Sequence, residues 1–261
     1  MPTTEQLLVT CEKAAQAGAE ELLAWRGRFA TREKSAKDLV TDADLAAQMA
    51  IHAIIQAEFE DHGFLGEEEP DPLQLNKPYC WIVDPLDGTT NYVHDYPCFS
   101  VSVAVAKAGE LVAGVVLDPL RQECFRAAKD HGSQLNGQTI STSTTTQVEQ
   151  SLVAVSFPPD LQSDSPDLRA FLQVAAHCQA VRRTGSAALN LAYVACGRLD
   201  AHWAYFINPW DSAAGVLLVR EAGGVATASR GGEFQLEAGD YAVSATPELY
   251  RSLRALIDVD S

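Results

Sequence analysis

The chain has 261 residues, 47% of them hydrophobic, so it is long and apolar enough to bury a substantial core, and disorder is not expected. Its 35 acidic residues against 19 Lys and Arg give a net charge of -16, which argues against a nucleic-acid surface and favours cations as partners. It lacks the ~18-residue apolar run of a membrane span and the basic and apolar segments of a signal peptide. We expect a cytoplasmic protein without nucleic-acid or membrane partners.

Apolar residues at spacings of three and four predict two amphipathic helices in the first part of the chain. The first covers residues 4–26, and Thr3 with Gln6 forms a capping-box pattern at its start. The second runs from Asp42 to about Glu60. Its predicted inner face carries Leu45, Met49, His52, Ala53 and Phe59. The polar segment between the helices, KSAKDLVTDAD (34–44), is predicted to be a loop or a short hairpin.

Strand patterns follow. Trp81-Ile82-Val83 reads as a buried strand, and residues 99–119 alternate through two arms around Ala108-Gly109, as a hairpin does. Another arm covers 123–128, and Asn136-Gly137 marks a further turn.

From residue 151 onward, strand and helix patterns alternate. Strands are predicted at 151–156, 179–184, 201–206, 224–229 and 241–245, and helices at 165–178, 186–200, 211–224 and 246–259. We therefore predict an antiparallel-rich N-terminal α+β lobe, residues 1–145, and a C-terminal α/β lobe, residues 146–261, packed as one unit.

Six cysteines are scattered along the chain without any C-x-x-C pair. This pattern favours reduced, mostly buried thiols over a zinc site or a disulfide framework.

Two aspartates three positions apart end the strand in WIVDPLDGTTNYVH (81–94). Pro85 fixes the turn between Asp84 and Asp87, so both carboxylates can reach one point. Ionised carboxylates that close repel each other unless a cation lies between them, and oxygen ligands without His or Cys favour Mg²⁺, Mn²⁺ or Ca²⁺. The structural alternative is an Asx turn at Asp84 and a capping role for Asp87.

The residues behind these aspartates suit an anion. Gly88 permits close approach of backbone N–H groups, and Thr89 and Thr90 add hydroxyls. An anion cradle beside a divalent cation is what a phosphate ester requires.

Three further acidic residues are candidates for the same site. Glu67 precedes the strand, Asp211 opens a predicted helix, and Asp44 lies in the first turn of another. Each has an ordinary alternative: a solvated acidic loop, a helix N-cap, and a charge that complements the helix dipole.

The motifs DLVTDAD (38–44), GEE (66–68), WIVDPLDGTTNYVH (81–94), GSAALNLA (185–192) and WDSAAGVLLVREAGG (210–224), in this order, resemble those of the inositol monophosphatase family. These are Mg²⁺-dependent, lithium-sensitive phosphatases. The resemblance implies the layered αβαβα sandwich shared with fructose-1,6-bisphosphatase, of mixed α+β and α/β class, usually as a homodimer.

The resemblance also implies roles for residues. Glu67, Asp84 and the Leu86 carbonyl would hold one Mg²⁺, and Asp84, Asp87 and Asp211 a second, with Glu67 facing a weaker third; Mn²⁺ is a possible substitute. Asp44, Thr89 and Glu67 would be catalytic, with Thr89 and Asp44 orienting the attacking water. Contacts to the substrate would come from Glu67, Leu86, Asp87, Gly88, Thr89, Gly185, Ser186, Ala187 and Asp211, of which Gly185, Ser186 and Ala187 line the alcohol side.

The chain departs from the family pattern at Ala204, where members acting on inositol phosphates usually carry a Glu that reaches ring hydroxyls. The Lys expected before DLVT has two candidates, Lys34 and Lys37. Arg182 and Arg183 are either contacts for a second anionic group or an exposed or interfacial pair.

The predicted function is Mg²⁺-dependent hydrolysis of a small phosphorylated metabolite, a phosphate monoester, with inositol monophosphate as the first candidate. Histidinol phosphate, fructose 1,6-bisphosphate and adenosine 3',5'-bisphosphate stay open as substrates. Two alternatives of another class are a regulatory binding protein that retains the pocket and a fold stabilised by calcium.

Overall fold

The computed structural model describes residues 1–35 and 38–258. These residues form seven α-helices: α1 (Thr4–Trp25), α2 (Asp42–Glu58), α3 (Thr89–Val93), α4 (Pro166–His177), α5 (Ala187–Ala195), α6 (Pro209–Glu221) and α7 (Pro247–Ile257). The strands of the first half are β1 (Thr31–Ser35), β2 (Asp38–Thr41), β3 (Gly63–Gly66), β4 (Tyr79–Asp87), β5 (Ser100–Lys107), β6 (Glu110–Asp118), β7 (Glu123–Ala128), β8 (Ser133–Leu135) and β9 (Gln138–Ile140). The second half contains β10 (Leu152–Ser156), β11 (Ala180–Arg182), β12 (Ala201–Tyr205), β13 (Val225–Thr227) and β14 (Asp240–Ser244). Two short 3-10 helices cover Pro72–Asn76 and Val148–Gln150.

The elements stack in five layers, which confirms the predicted αβαβα sandwich. Helices α1 and α2 cover one face of a seven-stranded sheet, ordered β3-β4-β5-β6-β7-β8-β9. Helices α5 and α6 lie between that sheet and a five-stranded one, ordered β11-β10-β12-β14-β13, whose other face is covered by α4 and α7. The chain changes sheets between Ile140 and Leu152. The division into lobes 1–145 and 146–261 stays a prediction.

The first helix forms as its sequence predicts. Its Thr3–Gln6 capping box is present, and Leu7, Cys11 and Leu22 are buried on its inner face. In the polar segment after it, β1 and β2 pair in antiparallel fashion, as a hairpin would; residues 36–37 lie outside the described residues.

The predicted inner face of α2 is wrong. Leu45 is 36% exposed and Met49 is 74% exposed. His52 and Ala53 are exposed as well, and Phe59 is only half-buried. The buried face instead carries Ala43, Asp44, Ala47, Ile51 and Ile55.

Close approach of the two helices explains the difference. A side-chain carbon at Gly18 of α1 would lie 2.7 Å from the Cδ1 atom of Ile51, so a larger residue there would force Ile51 to move. The small residue Gly18 thus makes room for Ile51 on the buried face of α2, and Leu45 and Met49 are left on the outer face.

Strands β3 to β6 lie near the site. β3, which the sequence did not reveal, pairs in parallel with β4, so that Gly66 lies opposite Val83. β5 and β6 form the predicted hairpin, with Ala108 and Gly109 both at positive φ (49° and 82°).

The second half follows the predicted alternation. β10 pairs in parallel with both β11 and β12, and β14 is antiparallel to β12 and β13. Four strands, β10 to β13, are shorter than predicted. β11 ends at Arg182, β13 ends at Thr227, and β12 ends at Tyr205 before Phe206, whose φ is 55°.

All six cysteines are free thiols. Cys11, Cys80 and Cys98 are buried, and the other three are partly exposed, so the predicted burial holds for half of them. None of the helices in the described ranges is long and apolar enough to cross a membrane.

Candidate active site

Three carboxylates from distant parts of the chain meet at one point. One oxygen each from Asp84, Asp87 and Asp211 lies within 4.8 Å of the other two. Asp84 and Asp87 come from the end of β4 and are 1% and 6% exposed, while Asp211 lies half-buried in the first turn of α6. The structure therefore brings together three of the predicted metal ligands.

The surroundings of Asp84 disfavour its ionised form. Its Oδ1 accepts the backbone N–H of Leu86 at 2.9 Å, so the Asx turn considered as an alternative is also present. Burial raises the pKa of Asp84 well above its usual range, and the neighbouring carboxylates of Glu67, Asp87 and Asp211 raise it further. A bound cation would reverse this repulsion.

Asp87 is tied to the start of α5. Its carboxylate accepts backbone N–H groups from Ala187 at 3.0 Å and Ala188 at 2.9 Å, and the hydroxyls of Ser186 and Ser100 also donate to it. Burial raises its pKa to about 6, and these hydrogen bonds oppose the rise. Asp87 therefore does have the capping role considered as an alternative, and the helix that it caps, α5, is distant in sequence.

Glu67 stands beside the cluster because β3 and β4 are parallel. Its backbone N–H donates to the Val83 carbonyl at 3.1 Å, one residue before Asp84. Its carboxylate lies close enough to raise the pKa of Asp84, and its side chain lines the adjoining cavity. The acidic loop thus folds back over the end of the strand, as its position suggested.

Asp44 and Thr89 form the second part of the site. Asp44 is buried in the first turn of α2, where its Oδ2 accepts the backbone N–H of Thr41 at 2.8 Å in a capping box. The Thr89 hydroxyl lies 3.2 Å from Asp44 Oδ1 and 3.1 Å from the Leu86 carbonyl, and can donate to either. Asp44 is thus an acidic residue in the first turn of α2, where it complements the helix dipole as the alternative held, and the predicted proximity to Thr89 is also observed.

Two glycines allow the motif loops to meet. Gly88 has φ 104°, and a side-chain carbon there would lie 3.0 Å from the Cys98 carbonyl oxygen. Gly185 has φ 90°, and its side-chain carbon would lie 2.7 Å from Asn91 Nδ2. That amide donates to the carbonyls of Cys98 (2.6 Å) and Thr184 (2.9 Å), which fastens one loop to the other.

A cavity of ≈ 200 Å³ opens beside the cluster. Its lining includes Glu67, Asp87, Asp211, Gly185 and Ala187 among the predicted site residues. Ser186 is wholly buried and caps α5, with the Leu189 N–H 3.2 Å from its hydroxyl.

Three further residues, which the sequence analysis did not assign to the site, belong to it in the structure. Asn91 directly follows the Gly-Thr-Thr turn, so its position is a hint, but Ser100 and Phe206 become part of the site only through the fold. Of the two candidate lysines, Lys37 and the side chain of Lys34 lie outside the part that the structure describes.

The donor set fits a hard divalent cation. All the clustered ligand atoms are carboxylate oxygens, and the burial of Asp84 and Asp87 makes their mutual repulsion costly without a positive charge. Ions that prefer sulfur or imidazole ligands fit this group less well.

Comparison with known proteins agrees with the fold. The sequence profile of the inositol monophosphatase family matches residues 4–258. An inositol-1-monophosphatase from Synechocystis is 40% identical over 95% of this chain and 92% of its own length. The Nus factor SuhB of Pseudomonas aeruginosa is also 40% identical, over 88% of this chain and 86% of its own.

Solved structures show the same likeness. The extragenic suppressor protein suhB from Bartonella henselae superposes with a TM-score of 0.92 at 32% identity, covering 98% of this chain and all of that one (100%). An inositol monophosphatase from Anabaena gives 0.87 at 34% identity, covering 97% and 95%. The chain therefore has the layered αβαβα fold of these proteins. It belongs to the inositol monophosphatase family.

Proposed function

We propose that this protein is a phosphoric monoester hydrolase that cleaves a small phosphorylated metabolite with the help of Mg²⁺, and that inositol monophosphate is the first substrate to try. The observation that carries the proposal is the convergence of Asp84, Asp87 and Asp211 beside a cavity and a glycine-threonine turn. Family membership supports phosphatase activity independently.

The carboxylates would hold the cations. We assign Glu67, Asp84 and the Leu86 carbonyl to one Mg²⁺ and Asp84, Asp87 and Asp211 to another, with Glu67 also facing a third and Mn²⁺ as a substitute. When bound, such ions neutralise phosphate charge and favour ionisation of water at neutral pH. The chain itself supplies the fixed geometry, since α5 holds Asp87 through two backbone amides.

The phosphate would lie against Gly88 and Thr89. The Thr89 hydroxyl lies 3.2 Å from the buried carboxylate of Asp44. It can therefore orient a water molecule beside the phosphate and relay a proton from that water toward Asp44. Glu67, at the cavity wall, is the other catalytic candidate. Gly185, Ser186 and Ala187 would flank the alcohol part.

Phosphate release from a panel of esters tests the proposal. Inositol monophosphate, histidinol phosphate, fructose 1,6-bisphosphate and adenosine 3',5'-bisphosphate should be compared while Mg²⁺ is titrated and lithium is added. We expect turnover that requires Mg²⁺, is inhibited by lithium and collapses in Asp87→Asn. The exposed Asp95→Asn is the matched control and should retain activity. Absence of turnover on every ester would defeat the proposal.

A regulatory binding role is the second candidate, because one relative at 40% identity is named a Nus factor. A binder would keep its cellular role in the Asp87→Asn variant, whereas an enzyme would lose it. The net charge of -16 favours a protein partner over nucleic acid for such a role.

Two further proposals concern the assembly and location. We propose a homodimer, to be measured by sedimentation equilibrium, and a cytoplasmic location, to be checked by cell fractionation.

A further inference from the structure

One cation faces the candidate active site. Of the residues lining the cavity in the described part of the chain, Arg183 alone is positively charged, among the carboxylates of Glu67, Asp87 and Asp211. It lies just beyond β11, two residues before Gly185, and its side chain is exposed.

Arg183 is not used to hold the fold. It makes no ion pair or hydrogen bond with any side chain that the structure describes, although the chain contains 35 acidic residues. Other arginines are engaged, such as Arg198, which makes a two-pronged contact with Glu123 at 2.6 and 2.5 Å. An uncommitted guanidinium beside an anion site is suited to a bidentate contact with phosphate or carboxylate.

An apolar wall faces the same space. Phe157, Pro158, Phe206 and Ile207 line the cavity, and the Phe157 ring is fixed by an edge contact with Phe171 at 5.8 Å between ring centres.

Phe206 is the unusual member of this wall. It has φ 55°, a conformation that costs a bulky residue about 1 kcal/mol or more, and the residue is 70% exposed. Its neighbour Ile207 is anchored by a 2.9 Å hydrogen bond from its N–H to the Gly239 carbonyl. A ring presented to water at a cavity mouth gains from a flat apolar ligand.

The position expected to serve a sugar ring offers it nothing polar. Ala204 is fully buried in β12 and packs in the core between the two sheets. A polyol with no charge besides its phosphate would therefore lack a ring-hydroxyl partner at this position, although Ser156 and Asn208 also line the cavity.

We propose that the alcohol part of the substrate carries a second anionic group, bound by Arg183, and a flat apolar body that lies against Phe206. This inference rests on the proposed phosphatase function and narrows its substrate class. A nucleoside bisphosphate has both features, and a sugar bisphosphate has the second anion alone. Inositol monophosphate has neither, and histidinol phosphate brings an amine that Arg183 would repel.

The test compares two esters that differ by one phosphate, adenosine 3',5'-bisphosphate and adenosine 3'-monophosphate. We expect kcat/KM to favour the bisphosphate by about tenfold. Arg183→Gln should bring this ratio close to one. Arg182→Gln is the matched control, since Arg182 is exposed and does not line the cavity, and it should keep the ratio. Phe206→Ala should lower kcat/KM for both esters by a similar factor.

The experiment distinguishes a failure of the proposed role of Arg183 from a failure of the proposed phosphatase function. If both esters turn over with equal kcat/KM, or if Arg183→Gln leaves the ratio unchanged, the role of Arg183 is overturned and the phosphatase stands. If neither ester turns over, the Kd of each ester is measured by calorimetry with Mg²⁺ present. Equal Kd values for the two esters would overturn the proposed role of Arg183.

Discussion

The carboxylate of Asp87 accepts the backbone N–H of Ala188 at 2.9 Å across 101 residues of sequence. This hydrogen bond joins the end of β4 to the first turn of α5, so a candidate metal ligand is also the anchor of a helix. The helix N-terminus favours the ionised form of Asp87 and opposes the burial that raises its pKa to about 6. Ligand geometry and helix position are therefore set together.

Ser186 positions Asp87, so Ser186→Ala should weaken Mg²⁺ binding. Loss of the hydroxyl removes one hydrogen bond from the Asp87 carboxylate, and removal of comparable supporting bonds costs roughly tenfold in metal affinity. The Mg²⁺ concentration for half-maximal phosphate release measures the effect. Ser100→Ala is the matched control with a smaller expected change, because its bond to Asp87 is longer, at 3.3 Å. Equal effects of the two variants would contradict this account.

Asp84→Asn should stabilise the protein without Mg²⁺ at pH 8 and abolish its activity. Because burial and neighbouring carboxylates raise the folded-state pKa of Asp84, the native state binds more protons than the unfolded state, and stability is lost as pH rises. Neutral Asn keeps the acceptor for the Leu86 N–H and removes the repulsion.

Thermal unfolding at pH 5 and pH 8, with and without Mg²⁺, measures the effect of Asp84→Asn. We expect a Tm a few degrees higher than wild type in chelator at pH 8, a smaller gain at pH 5, and no rise on adding Mg²⁺. Asp95→Asn should behave as wild type. A lower Tm for Asp84→Asn in chelator at pH 8 would count against a repulsive cluster.

Thr89→Val should lower kcat by about 10²- to 10⁴-fold, the usual contribution of positioned proton transfer. The change removes the hydroxyl that lies 3.2 Å from Asp44 while keeping the shape of the side chain. Thr89→Ser, which keeps the hydroxyl, is the control and should retain most of the activity. Similar kcat values for the two variants would exclude a role for the hydroxyl.

His202 should make the protein sensitive to acid. It is fully buried in β12, where the Ser156 hydroxyl lies 3.1 Å from Nε2 and the Tyr241 hydroxyl 3.0 Å from Nδ1. Burial lowers its pKa from 6.5 to about 3, so between these values the unfolded state binds a proton that the native state does not. The free energy of unfolding should fall as pH falls through this range.

Urea unfolding at pH 7 and pH 5 checks this expectation. His202→Gln should be less stable than wild type at pH 7, and the gap should narrow at pH 5, whereas the exposed His94→Gln should match wild type at both. A gap that stays constant between the two pH values would show that His202 does not titrate on unfolding.

Local patterns in the sequence were sufficient where local chemistry sets the structure. The Thr3 capping box and the Ala108-Gly109 hairpin form as predicted. The strand predicted to stop at Asp84 instead continues to Asp87, with an irregularity in its pairing with β5 between the two aspartates. The inner face of α2 was predicted wrongly because periodicity offers two apolar stripes. Which one is buried depends on Gly18 of another helix, through its contact with Ile51.

The sequence by itself determined the chemistry available to the site, namely carboxylates without His or Cys, next to a glycine-threonine turn that suits an anion. Tertiary structure alone decided which oxygen atoms meet. Glu67 reaches Asp84 because β3 and β4 run parallel, and Asp87 is oriented by the amides of α5. Likewise, Arg183 lines the cavity because β11 ends at the residue before it. A side chain's charge and ligand preference are local properties, whereas convergence depends on packing between elements far apart in the chain.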